Sequence, residues 1–95
     1  MVKFDTDGKR LYIDGKKVLR GWDSFNGWAW FAIEKSGDQL SDFGDGKGVP
    51  DTMWYGLVQG LEEEWGYFSQ AEIESLKPKM REIPKKNLPY LGRLN

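Results

Sequence analysis

A chain of 95 residues with fourteen basic and fifteen acidic side chains, a net charge of −1 and neither cysteine nor histidine reads as one domain. Zinc-thiolate sites, thiol nucleophiles and histidine acid–base catalysis are excluded from it. No apolar run approaches the roughly 20 residues of a membrane-spanning helix, and MVKFDTDGKR lacks the apolar stretch of a signal peptide, so a cytoplasmic location is expected. Two Asp-Gly dipeptides, Asp7-Gly8 and Asp14-Gly15, separate VKF, RLYI and KVLR, and such turns predict three short antiparallel strands joined by hairpins.

Next comes GWDSFNGWAW, in which Gly21, Asn26 and Gly27 let the backbone turn tightly among Trp22, Phe25, Trp28 and Trp30. Aromatics make up 15% of the chain, more ring surface than so small a domain encloses, so some Trp and Tyr are expected in a surface groove or oligomer contact. One reading of this segment is core at the start of a strand. The other is an aromatic-lined pocket in which Asp23, Ser24 and Asn26 hydrogen-bond a ring-bearing ligand such as a nucleotide base. Trp28 and Trp30 are expected to be structural, and Trp22, at a bend between Gly21 and Asp23, to be exposed and functional.

Trp28 to Ile33 is a fourth strand, apolar without alternation and therefore covered on both faces. Glu34 ends it and is expected to find an ion-pair partner in Arg20 or Arg81. KSGDQLSDFGDGKGVPDT, about 35–52, has no periodicity and reads as a long flexible loop. Met53 to Gln59 and Trp65 to Phe68 are a further strand pair around Gly60 and the acidic turn Glu62-Glu63-Glu64. At Ser69 the period changes: Ser69 and Glu72 form a capping box, and Phe68 and Ile73 a hydrophobic staple. A helix over about 70–77 follows, with Ile73 and Leu76 buried, and Pro78 stops it. Met80 to Ile83 reads as a short strand, and about 84–95 as an extended basic tail. The predicted fold is α+β: a twisted antiparallel sheet of five to six short strands with the helix packed on one face, a single domain over 1–95.

The pattern Trp30-Phe31-Ala32-Ile33-Glu34, then Tyr55-Gly56-Leu57-Val58, then Gly60 with Glu64-Trp65-Gly66-Tyr67-Phe68-Ser69 and Glu72-Ile73, resembles the family catalogued as domain of unknown function 2958. That family is carried by phages, archaeal viruses, plasmids and other mobile elements. The resemblance runs from Trp28 to Ile83-Pro84, about two thirds of the chain, and leaves out roughly the first 25 residues. It implies a mobile-element context, hence the cytoplasm of a host cell, and a shared fold, with almost nothing about chemistry.

Three catalytic or ion-binding readings are outweighed by plainer ones. Asp38, Asp42, Asp45 and Asp51 do not fall in the register of a calcium-binding loop. Gly44 to Gly48, GDGKG, lacks the strand and helix that would make it a phosphate cradle. Glu62, Glu63 and Glu64 beside Glu34 suggest a glycosidase-like carboxylate pair, but a charged turn that keeps a hairpin edge from pairing explains them better. The function expected is that of a small non-enzymatic binding protein of a virus or mobile element, counter-defence or regulatory. It would hold a host protein or small ligand on an aromatic surface through Trp22, Asp23, Ser24, Asn26, Glu34 and Tyr67, as a monomer or homodimer without metal or cofactor. The alternative is a nucleic-acid-binding accessory protein using Lys85, Lys86, Tyr90 and Arg93. A net charge of −1 and the apolar residues that interrupt the tail favour the first.

Overall fold

The structure, a computed structural model, describes residues 2–41, 46 and 48–91. Three short strands, β1 (Phe4–Thr6), β2 (Leu11–Ile13) and β3 (Lys16–Lys17), form a small antiparallel sheet. The Asp14-Gly15 turn has positive φ at both residues, 51° and 80°, the backbone that matches hairpin twist. Five more strands, β4 (Arg20–Ser24), β5 (Ala29–Ser41), β6 (Val49–Gln59), β7 (Glu63–Ser69) and β8 (Met80–Ile83), pair in the order β7-β6-β5-β4-β8, all antiparallel. The helices are short: α1 (Gln70–Glu74), a 3-10 turn (Lys85–Asn87) and α2 (Leu88–Leu91). The α+β class is as expected, but the eight strands divide between two sheets.

The larger sheet is the middle layer. On one face Phe31, Leu57 and Ile83 pack against Leu11 and Ile13 of the small sheet, Val18 just after it and Leu88 of α2. On the other, Trp22, Trp30, Trp54, Phe68 and Met80 pack with Ile73 of α1. The unbroken apolar run on β5 is explained by this: Phe31 serves one layer, Trp30 and Ala32 the other.

Four expectations are corrected. Residues 35–41 and 49–52 are not a loop but the outer part of β5 and β6, paired as far as Ser41 opposite Val49, with irregularities between Ala32 and Glu34 and between Lys35 and Gly37. Asp42, Asp45 and most of the GDGKG segment lie outside the described residues. The bend expected at Trp22 is strand β4. Its Gly21 is there because a Cβ would stand 3.0 Å from Leu88 and 3.3 Å from Phe31, so glycine lets two core side chains close over the strand. The helix ends at Glu74, and Leu76 is 47% exposed instead of buried. The segment after Pro84 is helical rather than extended, anchored by buried Leu88.

Ser69 caps α1 as its spacing predicts, its Oγ accepting the Glu72 N–H at 3.0 Å. The cap is completed by Asp51 of β6, whose Oδ1 accepts the Ala71 N–H at 2.8 Å and whose Oδ2 accepts from the hydroxyls of Ser41 and Ser69. Ser69→Ala removes both the cap and one of these hydrogen bonds, and is expected to cost about 1–2 kcal/mol. Chemical denaturation of the two proteins measures it, and equal midpoints would show that the helix does not depend on this cap.

Candidate functional site

The hairpin between β4 and β5 builds one wall of a groove of about 670 Å³ lined by Ser24, Phe25, Asn26, Trp28, Trp30, Leu76 and Lys79. The turn is held by local polar bonds. The Ser24 N–H donates to the Trp28 carbonyl at 2.9 Å, the Trp28 N–H to Ser24 Oγ at 3.3 Å, and the Ser24 hydroxyl to the Asn26 side chain. Gly27 supplies the positive φ, 92°, that an L-residue adopts with difficulty. Its far side is tied down by the Phe25 N–H, which donates to the Lys79 carbonyl at 2.9 Å. With Ser24 and Asn26 occupied in the turn, Phe25 is left pointing away from both cores, 81% exposed.

Trp28 and Trp30 lie with ring centroids 6.1 Å apart and planes 31° from parallel. Trp28 is seated on the bare backbone of Gly60: a Cβ there would fall 2.3 Å from the indole. A second groove, of about 520 Å³, begins at the same two tryptophans and Leu76 and runs past Phe68 and Ile73 to Tyr67. The result is a trough with an aromatic floor, with Ser24, Asn26 and the cation Lys79 at one end and Ser69, Glu72 and Ser75 along its extension. Such a surface binds by dispersion and desolvation.

The expected site residues separate. Ser24 and Asn26 line the groove, and Tyr67, 68% exposed, lines its extension while standing edge-on to Tyr55 at 5.1 Å. Trp22 is wholly buried, 0% exposed, and belongs to the core beside Phe68 and Trp54. Asp23 is held by Arg81, with Arg81 Nε 3.1 Å from Asp23 Oδ1, on the strand pair β4–β8 and outside the groove. Glu34 is exposed, and the arginines expected to pair with it are engaged elsewhere: Arg81 with Asp23, and Arg20 with Glu82, Nε to Oε2 at 2.8 Å. The hydrogen bonds that Arg20 donates to Glu82 raise the Arg20 pKa and lower that of Glu82.

Lys85 and Lys86 lie in the 3-10 turn and Tyr90 on α2, all exposed, while Arg93 is outside the described residues. Of the acidic turn, Glu63 accepts the Val2 N–H and the Gln59 amide, both at 2.9 Å, and these bonds hold its carboxyl below the usual range. Among the described residues no three acidic side chains gather as metal ligands would, and no helix is long and apolar enough to cross a membrane.

Sequence reasoning placed Phe25, Trp28 and Trp30 in the aromatic segment but missed Leu76, Lys79 and Gly60 as parts of the groove. Phe25 carried the usable signal: an aromatic inside a Ser-Phe-Asn-Gly turn cannot follow the chain into the core. Leu76 and Lys79 approach from 50 residues along the chain, and nothing local marks them. No protein-family model, curated protein or solved structure matches this chain.

Proposed function

We propose that this protein is a non-enzymatic binding module that captures a partner protein in the trough formed by Phe25, Trp28, Trp30 and Leu76. Its mobile-element setting, and hence a host protein as partner and a counter-defence or regulatory role, rests on the resemblance to domain of unknown function 2958. The observation that carries the reading is Phe25: a large apolar side chain 81% exposed at the mouth of an aromatic groove, on a turn whose own hydrogen bonds fix its direction. Aromatic anchors of this kind dominate the energetics of protein interfaces. A trough that reaches from Phe25 to Tyr67 suits an extended apolar segment better than a compact ligand, and Lys79 favours an acidic residue at that end of the segment.

The test is affinity capture from lysate of the host, comparing wild type with Phe25→Ser and Gly60→Ala. Phe25 is exposed, so Phe25→Ser leaves the fold intact, and Gly60→Ala displaces Trp28 without changing charge. Wild type is expected to retain a specific protein that Phe25→Ser retains at least about tenfold less well, as expected for loss of a buried anchor, with Gly60→Ala also weakened. Identical capture by wild type and folded Phe25→Ser contradicts the proposal, and so does capture of a nucleotide or other small molecule alone.

A further inference from the structure

A separate groove, of about 320 Å³, shares no residue with the trough. Lys9 and Arg10 from the β1–β2 turn, Lys17 of β3, Arg20 of β4 and Lys85 of the 3-10 turn all line it, with Trp54 among its apolar residues. Lys9 to Arg20 lie within twelve residues of one another, and folding brings Lys85 from the far end of the chain to join them. Arg20 is committed: Glu82 neutralises it, Gln70 accepts from it at 3.1 Å, and its guanidinium lies over Trp22 and Trp54 at 5.1 and 6.0 Å. The other four are different. Lys9, Arg10, Lys17 and Lys85 are exposed, and none forms an ion pair among the described residues.

Two acids stand near this rim. Asp7 accepts on Oδ1 from the N–H groups of Lys9 and Arg10, at 2.9 and 2.7 Å, and acts through space on the Arg10 guanidinium, while Glu82 faces Arg20 first and Lys85 only through space, so the two acids offset part of the basic charge and leave it in excess. A chain with a net charge of −1 thus concentrates four unpaired cations around one groove, and the field there is positive although the molecule's is not. Backbone N–H donors converging on one point would suit a single phosphate. Long, exposed side chains rooted on separate elements suit a series of phosphates instead, each neutralised singly.

We propose that this groove holds the phosphodiester backbone of a nucleic acid, with Lys9, Arg10, Lys17 and Lys85 as phosphate contacts and no reading of base sequence. The basic character of the tail contributes through Lys85, and the partners of that lysine come from the first 17 residues.

The test is fluorescence anisotropy of the full chain with a short labelled DNA, single-stranded and duplex, at increasing salt. Four contacts predict a slope of log affinity against log salt of about −3 to −4 on duplex, a loss of roughly a hundredfold between about 50 and about 200 mM. Lys17→Ala with Lys85→Ala removes two exposed side chains and is expected to halve that slope. Lys35→Ala with Lys77→Ala, an equal change in net charge away from the groove, is expected to leave it unchanged. No binding at the lowest salt, a flat salt dependence, or equal losses in the two double variants overturns the proposal. So does displacement of DNA by equimolar inorganic phosphate, which would assign a single-phosphate site, and so does binding confined to anionic phospholipid vesicles. Since the two grooves share no residue, Phe25→Ser is expected to bind DNA as wild type does, which separates this result from the fate of the protein-binding reading.

Discussion

Trp22→Ala is expected to lower the melting temperature by roughly 15–30 °C or leave the chain unfolded, the consequence of losing about 3–5 kcal/mol from a domain of this size. Trp22 is 0% exposed and central to one of the two cores, edge-on to Phe68 at 6.0 Å, inclined to Trp54 at 6.3 Å and covered by the Arg20 guanidinium at 5.1 Å. Truncation would leave a cavity bounded by strands that cannot close it, because β4 is fixed between β5 and β8. Its indole N–H has no hydrogen-bond partner among the described residues. Trp22→Phe therefore removes an unsatisfied donor along with part of the ring, and is expected to cost less than about 2 kcal/mol. Thermal melts of the three proteins measure this. A Trp22→Ala protein that melts with wild type would place Trp22 outside the core and contradict the packing described above.

The second large effect is expected at Asp51, which is 6% exposed. One carboxylate joins four elements: it accepts from Ser41 at the outer end of β5, from Ser69 at the end of β7 and from the first turn of α1, all from its own place on β6. Asp51→Ala leaves the Ala71 N–H and two hydroxyls without their acceptor and is expected to cost about 3 kcal/mol. Burial alone would raise the Asp51 pKa, but the hydrogen bonds from Ser41, Ser69, Ala71 and Thr52 outweigh it and hold the carboxyl below its ordinary value. A carboxyl depressed in the folded state adds stability that is fully present above the unfolded pKa of about 4 and disappears as pH falls through the folded value. Wild type should therefore lose stability on acidification below about pH 4, and Asp51→Asn should lose less over the same range. Parallel pH profiles for the two would show that this carboxylate is not a support of the fold.

What was legible in the sequence was local. The Asp14-Gly15 hairpin and the Ser69 cap each rest on residues a few positions apart, and each is found, with Phe68 and Ile73 in one core beside the cap. The outer β5–β6 ribbon was not legible because Lys35, Asp38 and Gln39 face water and its buried side chain is the charged Asp51, so no apolar alternation marks residues that the backbone ladder nonetheless pairs. Trp22 is buried where the sequence predicts exposure, because Gly21 marks no bend. The glycine serves the opposite face of the strand, where Leu88 and Phe31 close in, and that crowding comes from residues 10 and 67 positions away. The trough was half legible: the turn that presents Phe25 is local, whereas Leu76, Lys79 and the Gly60 seat of Trp28 arrive by folding. The basic groove was invisible for the same reason, its cations being shared among four elements, with only Lys85 in the tail that looked basic.

The most direct test of partner binding in the aromatic trough is a titration of the isotope-labelled protein with the captured partner, followed through the tryptophan indole N–H resonances. The indoles of Trp28 and Trp30 are expected to shift on binding while that of buried Trp22 stays in place. Shifts at Trp22, or an unchanged Trp28–Trp30 pair in a saturated complex, would contradict the assignment of the trough as the binding surface.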